Sequence, residues 1–259
     1  MTERVFVSVP TYREAENIEE LLRRLRTAVP DAHILVIDDA SPDGTAELAE
    51  KVGLDLGGIE VLRRPGKAGL GAAYRAGHAI GLAHGYDVMV QIDADLSHQP
   101  EALPSLLDAI RDGADLALGS RYVEGGAIPQ LAAYRLALSR WGCRYAGWAL
   151  GMGVSDSTGG YRAYRASALQ AMEFETTSAT GYSFQIEMTY RLVRAGGRVV
   201  EVPITFTDRE RGTSKMSAQI VVEAMALVTW WAVRDRVLHR GGRPSERAHN
   251  SGDSMPRSR

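Results

Sequence analysis

Short β-branched runs that alternate with amphipathic helical patterns constrain the first half of this chain more than any other feature. Val5-Phe6-Val7-Ser8-Val9 has the length and composition of a buried strand. Ile18, Leu21, Leu22, Leu25 and Val29 then recur at helical spacing behind acidic first-turn residues. His33 to Ile37 gives a second strand, and Thr45, Leu48, Ala49 and Val52 mark a second helix opened by the turn Ser41-Pro42-Asp43-Gly44. Ile59 to Leu62, Asp87 to Ile92 and Leu116 to Leu118 continue the strand series, with helices around Ala72 to Gly81 and Glu101 to Ile110. This order implies an α/β fold, a mainly parallel sheet flanked by helices on both faces.

In open α/β sheets, ligands sit beyond the carboxyl ends of the strands. Three polar segments converge on that rim: Pro10-Thr11-Tyr12-Arg13-Glu14, Asp38-Asp39, and Asp93-Ala94-Asp95-Leu96-Ser97. Two carboxylates directly after an apolar strand call for a compensating cation. Mg²⁺ or Mn²⁺ suits such oxygen donors, completing its shell with substrate phosphate and water. Asp-x-Asp in isolation fits a solvated loop or a cap equally well. A carboxylate at Asp38-Asp39 can accept hydrogen bonds from a base or ribose, or it can serve the following turn, as Ser41 or Asp43 could. Gly66-Lys67-Ala68-Gly69-Leu70-Gly71 lacks both the P-loop ending and the dinucleotide glycine spacing, so it reads as a structural turn. His98 reads as a neighbour of the acidic triplet rather than a ligand.

From Arg121 the alternation weakens. Ala132 to Gly151 is a helical stretch in which Arg135, Arg140 and Arg144 stand beside Trp141, Tyr145 and Trp148, and it is expected to face a second substrate. Arg198 to Phe206 reads as one more strand, followed by a polar loop from Thr207 to Lys215 with the composition of a mobile lid. Ala218 to Val233 is a mostly apolar helix ending in Trp230 and Trp231, with Arg234 and Arg236 beyond. It is too short to span a bilayer, and either lies in the membrane interface or packs on the domain. The Arg-rich, Gly/Ser/Pro-containing tail is expected to be disordered. A formal net charge of -2 gives no basic footprint for nucleic acid. The single cysteine, Cys143, excludes a disulfide within one chain, fits a reducing cytosolic compartment and reads as a buried small apolar residue. The first residues, Met1-Thr2-Glu3-Arg4, do not open a secretory signal.

Read in order, Pro10-Thr11-Tyr12-x-Glu14, Asp38-Asp39-x-Ser41-x-Asp43-Gly44-Thr45, Asp93-Ala94-Asp95-Leu96-Ser97-His98, Gly119-Ser120-Arg121-Tyr122 and Arg209-x-Arg211-Gly212-x-Ser214-Lys215 form a joint pattern. It resembles the polyprenol (dolichol) phosphate mannose synthases of the GT-A (Rossmann-like) glycosyltransferase fold, especially the actinobacterial ones, from about Val5 to Lys215. The resemblance implies a catalytic domain over residues 1–216. Its nucleotide-sugar half would be 1–119 and its acceptor half with the basic loop 120–216, followed by an interfacial helix at 217–238 and a tail at 239–259.

Carried over by position, the resemblance implies that Pro10, Tyr12, Glu14, Ile37 and Asp39 hold the guanosine of GDP-mannose. Asp93 and Asp95 would bind the metal, with Ala94 lining the site. Ser97 stands where some relatives have a further metal ligand. Arg209 and Lys215 would grip the diphosphate, Ser183 would contact the donor more weakly, and Arg121, Arg135 and Ser139 would face the lipid phosphate, with Asp95 and Arg121 nearest the chemistry. The resemblance also implies a polyprenyl monophosphate acceptor in the membrane and a peripheral site on its cytosolic face, and it admits a membrane-anchored partner protein. A phosphate monoester is largely anionic at neutral pH, so no protein general base is expected. The competing readings are a polyprenyl-phosphate glucosyl or aminosugar transferase, a sugar nucleotidyltransferase, and a non-catalytic sugar-nucleotide-binding module. The second would need a Gly-rich basic loop after the first strand, and Pro10-Thr11-Tyr12 is not one.

Overall fold

The computed structural model describes residues 3–129, 133–179, 181–207 and 218–238. The first half follows the expected alternation: β1 (Val5–Thr11), α1 (Ile18–Ala28), β2 (His33–Asp38), α2 (Thr45–Leu56), β3 (Ile59–Arg63), α3 (Leu70–Ala83), β4 (Val88–Gln91), α4 (Leu103–Arg111) and β5 (Leu116–Ser120). The second half holds α5 (Ala133–Leu150), β6 (Arg162–Arg165), α6 (Ala166–Ala171), α7 (Gly181–Arg194), β7 (Val199–Pro203) and α8 (Ala218–Leu238). Sequence pattern left the stretch from Met152 to Gly197 unassigned, and it contains β6, α6 and α7.

Among the described residues the strands form one sheet in the order β3-β2-β1-β4-β6-β5-β7. Every pairing is parallel except those of β6, which runs antiparallel to both β4 and β5. Side chains alternate across the pleat and divide the core in two. Val7, Val9, Ile34 and Val36 pack with α1, α2 and α4, whereas Phe6, Leu35 and Ile37 pack with α3 and the helices of the second half. Helix α1 illustrates the logic: Ile18, Leu21, Leu22 and Leu25 are buried on one stripe, Glu19 and Glu20 sit in the first turn, and Arg26 sits in the last. The chain passes from β1 to β2 on one side and returns through β3 and α3 to β4 on the other. Strand order therefore reverses between β1 and β4, the place where such sheets bind ligands.

Helix α8 is 21 residues, longer than the sequence suggested. It packs on the domain through Val228, Trp231 and Ala232, which are buried, while Trp230 and Val233 are exposed. Among the described residues no helix is long and apolar enough to cross a membrane. The expected lid and tail, including Arg209 and Lys215, lie largely outside the described residues.

Candidate active site

The rim at β1 and β2 is built by hydrogen bonds between the two strand-end segments. Asp38 is buried and accepts from Thr11 Oγ1 at 2.9 Å and from the Ser41 amide at 2.8 Å, so it organises the rim from behind. Ser41 and Thr45 in turn accept the amides of Arg13 and Glu14, each at 3.0 Å, and Asp43 accepts that of Ala15 at 3.2 Å. Burial alone would raise the Asp43 pKa, but the Thr45 hydroxyl, donating to it at 2.6 Å, and the Ala15 and Thr45 amides hold it below the usual carboxylate value. The turn Ser41-Pro42-Asp43-Gly44-Thr45 is thus a clasp for the Pro10–Glu14 loop.

Asp39 lies one residue further out, nearly buried, with Arg64 Nη1 at 3.1 Å and the Ala68 amide at 3.3 Å. Lys67 holds its ammonium 4.5 Å from the Tyr12 ring centre. Residues 66–69 form a bend and loop that lead into α3, and they adjoin Tyr12 and Asp39 at the rim. Ile37 is fully buried beneath Asp38. Arg13, Ala40 and Leu96, on the three rim segments, adopt positive φ of 63°, 55° and 58°. Left-handed backbone at a non-glycine residue costs about 1–3 kcal/mol and collects at binding sites.

Asp93 and Asp95 follow β4. The Tyr74 hydroxyl, on α3, donates to Asp93 Oδ1 at 3.0 Å. Burial, and then the charge of Asp93, push the Tyr74 pKa well above its ordinary value, so the phenol remains a donor. His98 Nε2 stands 3.7 Å from Asp93 Oδ2, its ring packed against Tyr161 and Phe206, as a neighbour. A Cβ on Gly160 would sit 3.0 Å from Asp93 Oδ2, so glycine there leaves the carboxylate its room. Asp95 is 7% exposed, and its Oδ1 accepts from the Ser97 amide at 3.1 Å and the Ser97 hydroxyl at 2.6 Å. Ser97, expected as a further ligand, is thus placed behind Asp95, buried and donating its hydroxyl hydrogen to it. Ala94 is buried between the two acids.

Across the rim, Arg121 at the end of β5 meets Asp156, a residue sequence reading did not single out. Nε and Nη2 of Arg121 each lie 2.7 Å from an Asp156 oxygen, and Nη2 also donates to Thr158 Oγ1 at 2.8 Å. Burial opposes both charges; their mutual pairing overrides it, lowering the Asp156 pKa and raising that of Arg121. The Asp156 turn is itself anchored, since Glu201 on β7 accepts the amides of Ser155 and Asp156 at 2.7 and 3.0 Å. Arg121 Nη1 makes no hydrogen bond among the described residues, which leaves two N–H groups for an incoming anion.

Tyr122 donates to Ser139 Oγ on α5 at 2.6 Å, which places Ser139 beside Arg121. Arg135 lies one turn earlier on the same side of α5, exposed, with Nε 3.2 Å from the Tyr134 hydroxyl. Ser183 is buried in the first turn of α7, next to Phe184, which stacks on Tyr74 at 6.2 Å. The structure therefore gathers Pro10 to Glu14, Asp39, Asp93 and Asp95 at the switch point and puts Arg121 and Ser139 together across from them. Tyr74, Asp156 and Gly160 were missed. The cluster Ser155-Asp156-Ser157-Thr158-Gly159-Gly160 was the available signal for two of them, whereas Tyr74 looks like any helix aromatic.

The glycosyl transferase family 2 profile matches residues 6–172. The chain is 49% identical over 237 residues to the polyprenol monophosphomannose synthase of Mycolicibacterium smegmatis, covering 91% of this chain and 89% of that one. It is also 49% identical over 233 residues to the undecaprenyl-phosphate mannosyltransferase of Micrococcus luteus, covering 90% and 96%. Among solved structures, mannosyl-3-phosphoglycerate synthase from Rubrobacter xylanophilus superposes with a TM-score of 0.67 at 19% identity, over 95% of this chain and 78% of that one, which speaks to the GT-A fold. The chain is a glycosyltransferase and belongs to glycosyl transferase family 2, in the branch that holds the polyprenyl-phosphate mannosyltransferases.

Proposed function

We propose that the enzyme transfers mannose from GDP-mannose to a polyprenyl monophosphate, with inversion, at the cytosolic face of a membrane to which it binds peripherally. The observation that carries this reading is the acidic pair after β4 on the same sheet edge as Arg121 after β5, whose Nη1 makes no hydrogen bond among the described residues and which adjoins Tyr122 and its partner Ser139. One side suits a diphosphate with its cation, and the other suits an anionic acceptor. The names of the two close relatives support mannose as the sugar and a polyprenyl phosphate as its acceptor.

The residues present fit a divalent cation. Asp93 and Asp95 offer hard oxygen donors from a single turn, one steadied by Tyr74 and the other by Ser97. Among the described residues no cluster of three His, Cys, Asp or Glu forms. That donor set suits Mg²⁺ or Mn²⁺, which accepts one or two carboxylates and leaves the rest of its shell to phosphate and water. When bound, the cation would offset charge on the departing diphosphate. In this reading Ser97 orients Asp95 in place of ligating the metal itself.

Pro10, Tyr12, Glu14, Ile37, Asp39 and Ala94 would shape the nucleoside pocket, with Ser183 at its edge. Arg209 and Lys215 would close over the diphosphate; the motif alone supports their part. Arg121, Arg135 and Ser139 would orient the lipid phosphate, whose own oxygen attacks the anomeric carbon. We assign residues 1–119 to the nucleotide-sugar half and 120–216 to the acceptor half together with the basic loop. The test uses purified protein, a polyprenyl phosphate in detergent, and labelled GDP-mannose, UDP-glucose or UDP-GlcNAc, with and without chelator. Label should enter the organic phase only from GDP-mannose and only with divalent metal, as a β-linked product. Equal transfer from UDP-glucose would overturn the mannose assignment, and full activity of Asp95→Ala would overturn the metal site.

A further inference from the structure

The loop before α3 carries a charge that neither the fold nor the proposed chemistry uses. After β3 the chain crosses the end of β2 toward β1 on three anchors. The Arg64 amide donates to the Asp38 carbonyl at 2.8 Å, Arg64 Nη1 stands 3.1 Å from Asp39 Oδ1, and the Ala68 amide reaches Asp39 Oδ2 at 3.3 Å. Gly69, at a φ of 89°, then turns the segment into α3. Lys67 lies between these anchors. Its side chain is exposed, makes no hydrogen bond or ion pair among the described residues, and holds its ammonium 4.5 Å from the centre of the half-buried Tyr12 ring.

The place of this ammonium on the sheet edge limits what it can meet. Strand order β3-β2-β1-β4 puts Asp39 after β2 and the Asp93–Asp95 pair two strands away after β4, about 10 Å at ordinary strand spacing. A cation meant for the diphosphate belongs at the β4 end. One beside Tyr12 and Asp39 stands at the other end of a bound nucleotide, where the base lies. A carboxylate and an ammonium side by side complement a base edge that carries donors and then acceptors. Guanine has such an edge: N1–H and N2–H₂ donate, and O6 and N7 accept. Adenine reverses the order at C6, where N6–H₂ turns a donor toward the ammonium. Uracil offers O4 to the ammonium but only N3–H to the carboxylate.

We infer that Lys67 is a base-reading residue of the donor pocket, its ammonium donating to O6 of guanine while Asp39 accepts from the donor edge, so that the loop before α3 selects guanine over adenine. The inference rests on the proposed GDP-sugar donor and deepens it. Lys67 sets the choice between purines, and Asp39 sets the choice against uracil. The loop is held by the Arg64 and Ala68 amides and the Arg64 side chain, none of which needs the Lys67 ammonium, so replacing that side chain leaves the rim standing.

The test is equilibrium binding of GDP, IDP, ADP and UDP in the presence of Mn²⁺, by titration calorimetry on full-length wild type, Lys67→Met and Lys67→Arg, with no acceptor present. Methionine keeps an unbranched stem against Tyr12 and removes the charge. Wild type should bind GDP most tightly. In Lys67→Met the affinity for GDP should fall about tenfold or more, and that for IDP by the same factor, because hypoxanthine keeps O6. Affinity for ADP should fall by no more than about threefold, the share of screened attraction to the phosphates. Lys67→Arg should restore most of the preference for GDP over ADP, since either cation can donate to O6. An equal loss for GDP and ADP would make Lys67 a partner of the diphosphate, and unchanged GDP binding would leave it only its contact with Tyr12; either result overturns the inference and leaves the donor reading intact. Wild type that binds UDP more tightly than GDP would overturn the donor reading itself.

Discussion

Asp156→Asn tests whether the orientation of Arg121 is set from below. Asp156 is fully buried and receives Nε and Nη2 of Arg121 at 2.7 Å each, together with the Arg121 and Gly159 amides at 3.1 Å. An asparagine of the same shape keeps one acceptor oxygen, turns an NH₂ toward a guanidinium N–H, and leaves a buried charge without its counterion. Breaking a buried pair in this way costs about 3–5 kcal/mol. In a domain of this size that lowers Tm by about 6–20 °C. Adding Arg121→Gln removes the orphaned charge, so the double variant should recover stability, with a coupling energy of about 2–3 kcal/mol. The assay is urea unfolding of the four proteins of the cycle, with sugar transfer measured on each. Stability should return in the double variant and transfer should not, because the Nη1 proposed to meet the acceptor phosphate is then gone. Additive unfolding energies, or a loss below about 1 kcal/mol for Asp156→Asn, would refute the reasoning, since that is the range of an exposed ion pair.

Tyr74→Phe removes the hydroxyl that holds Asp93, and the apparent affinity for activating metal should fall by about tenfold or more, read as a shift in the Mn²⁺ activation curve with little change at saturating metal. His78 is fully buried, shares its Nε2 with the Gln91 side-chain amide at 2.7 Å, and has its pKa pushed down by burial to about 3 from 6.5. Below pH 6.5 the unfolded chain therefore binds a proton the folded one does not, so this group's contribution to stability falls with pH until about pH 3. Between pH 7 and 5 the loss is about 2 kcal/mol, and His78→Gln should show a correspondingly shallower pH dependence in urea unfolding. Gly77→Ala would put a Cβ 2.3 Å from Ser8 Oγ beneath α3, and should lower stability by about 1–3 kcal/mol while leaving the metal requirement unchanged.

The first half of the fold and its acidic rim were legible because their determinants are local. Period-two and helical spacings assign β1 to β5 and the helices between them, and a carboxylate pair after an apolar strand announces a rim site. Between Met152 and Gly197 those rules fail for a reason that Arg162 makes concrete. Strand β6 reads Arg-Ala-Tyr-Arg, a segment any pattern places at the surface, yet Arg162 is fully buried in the middle of the sheet. Its guanidinium donates to the carbonyls of Gly159, Ser157 and Gln185 and to the hydroxyls of Tyr164 and Thr189, at 2.7 to 3.0 Å. Helix α7 buries Gln185 and Thr189 against Arg162 and Glu187 against the Ser178 and Ala179 amides, so its polar residues do not mark its outer face. Three of the partners of Arg162 lie within five residues of it, but Gln185 and Thr189 come from α7 and the flanking strands β4 and β5 from further still, so no window of a dozen residues contains the whole arrangement. The same network grips Ser157 and Gly159, which flank the turn that presents Asp156 to Arg121. The side proposed for the donor is thus set by strand ends, which sequence reveals. The side proposed for the acceptor hangs on a buried arginine that holds the turn in place, and it becomes visible only when β6 is seen between β4 and β5.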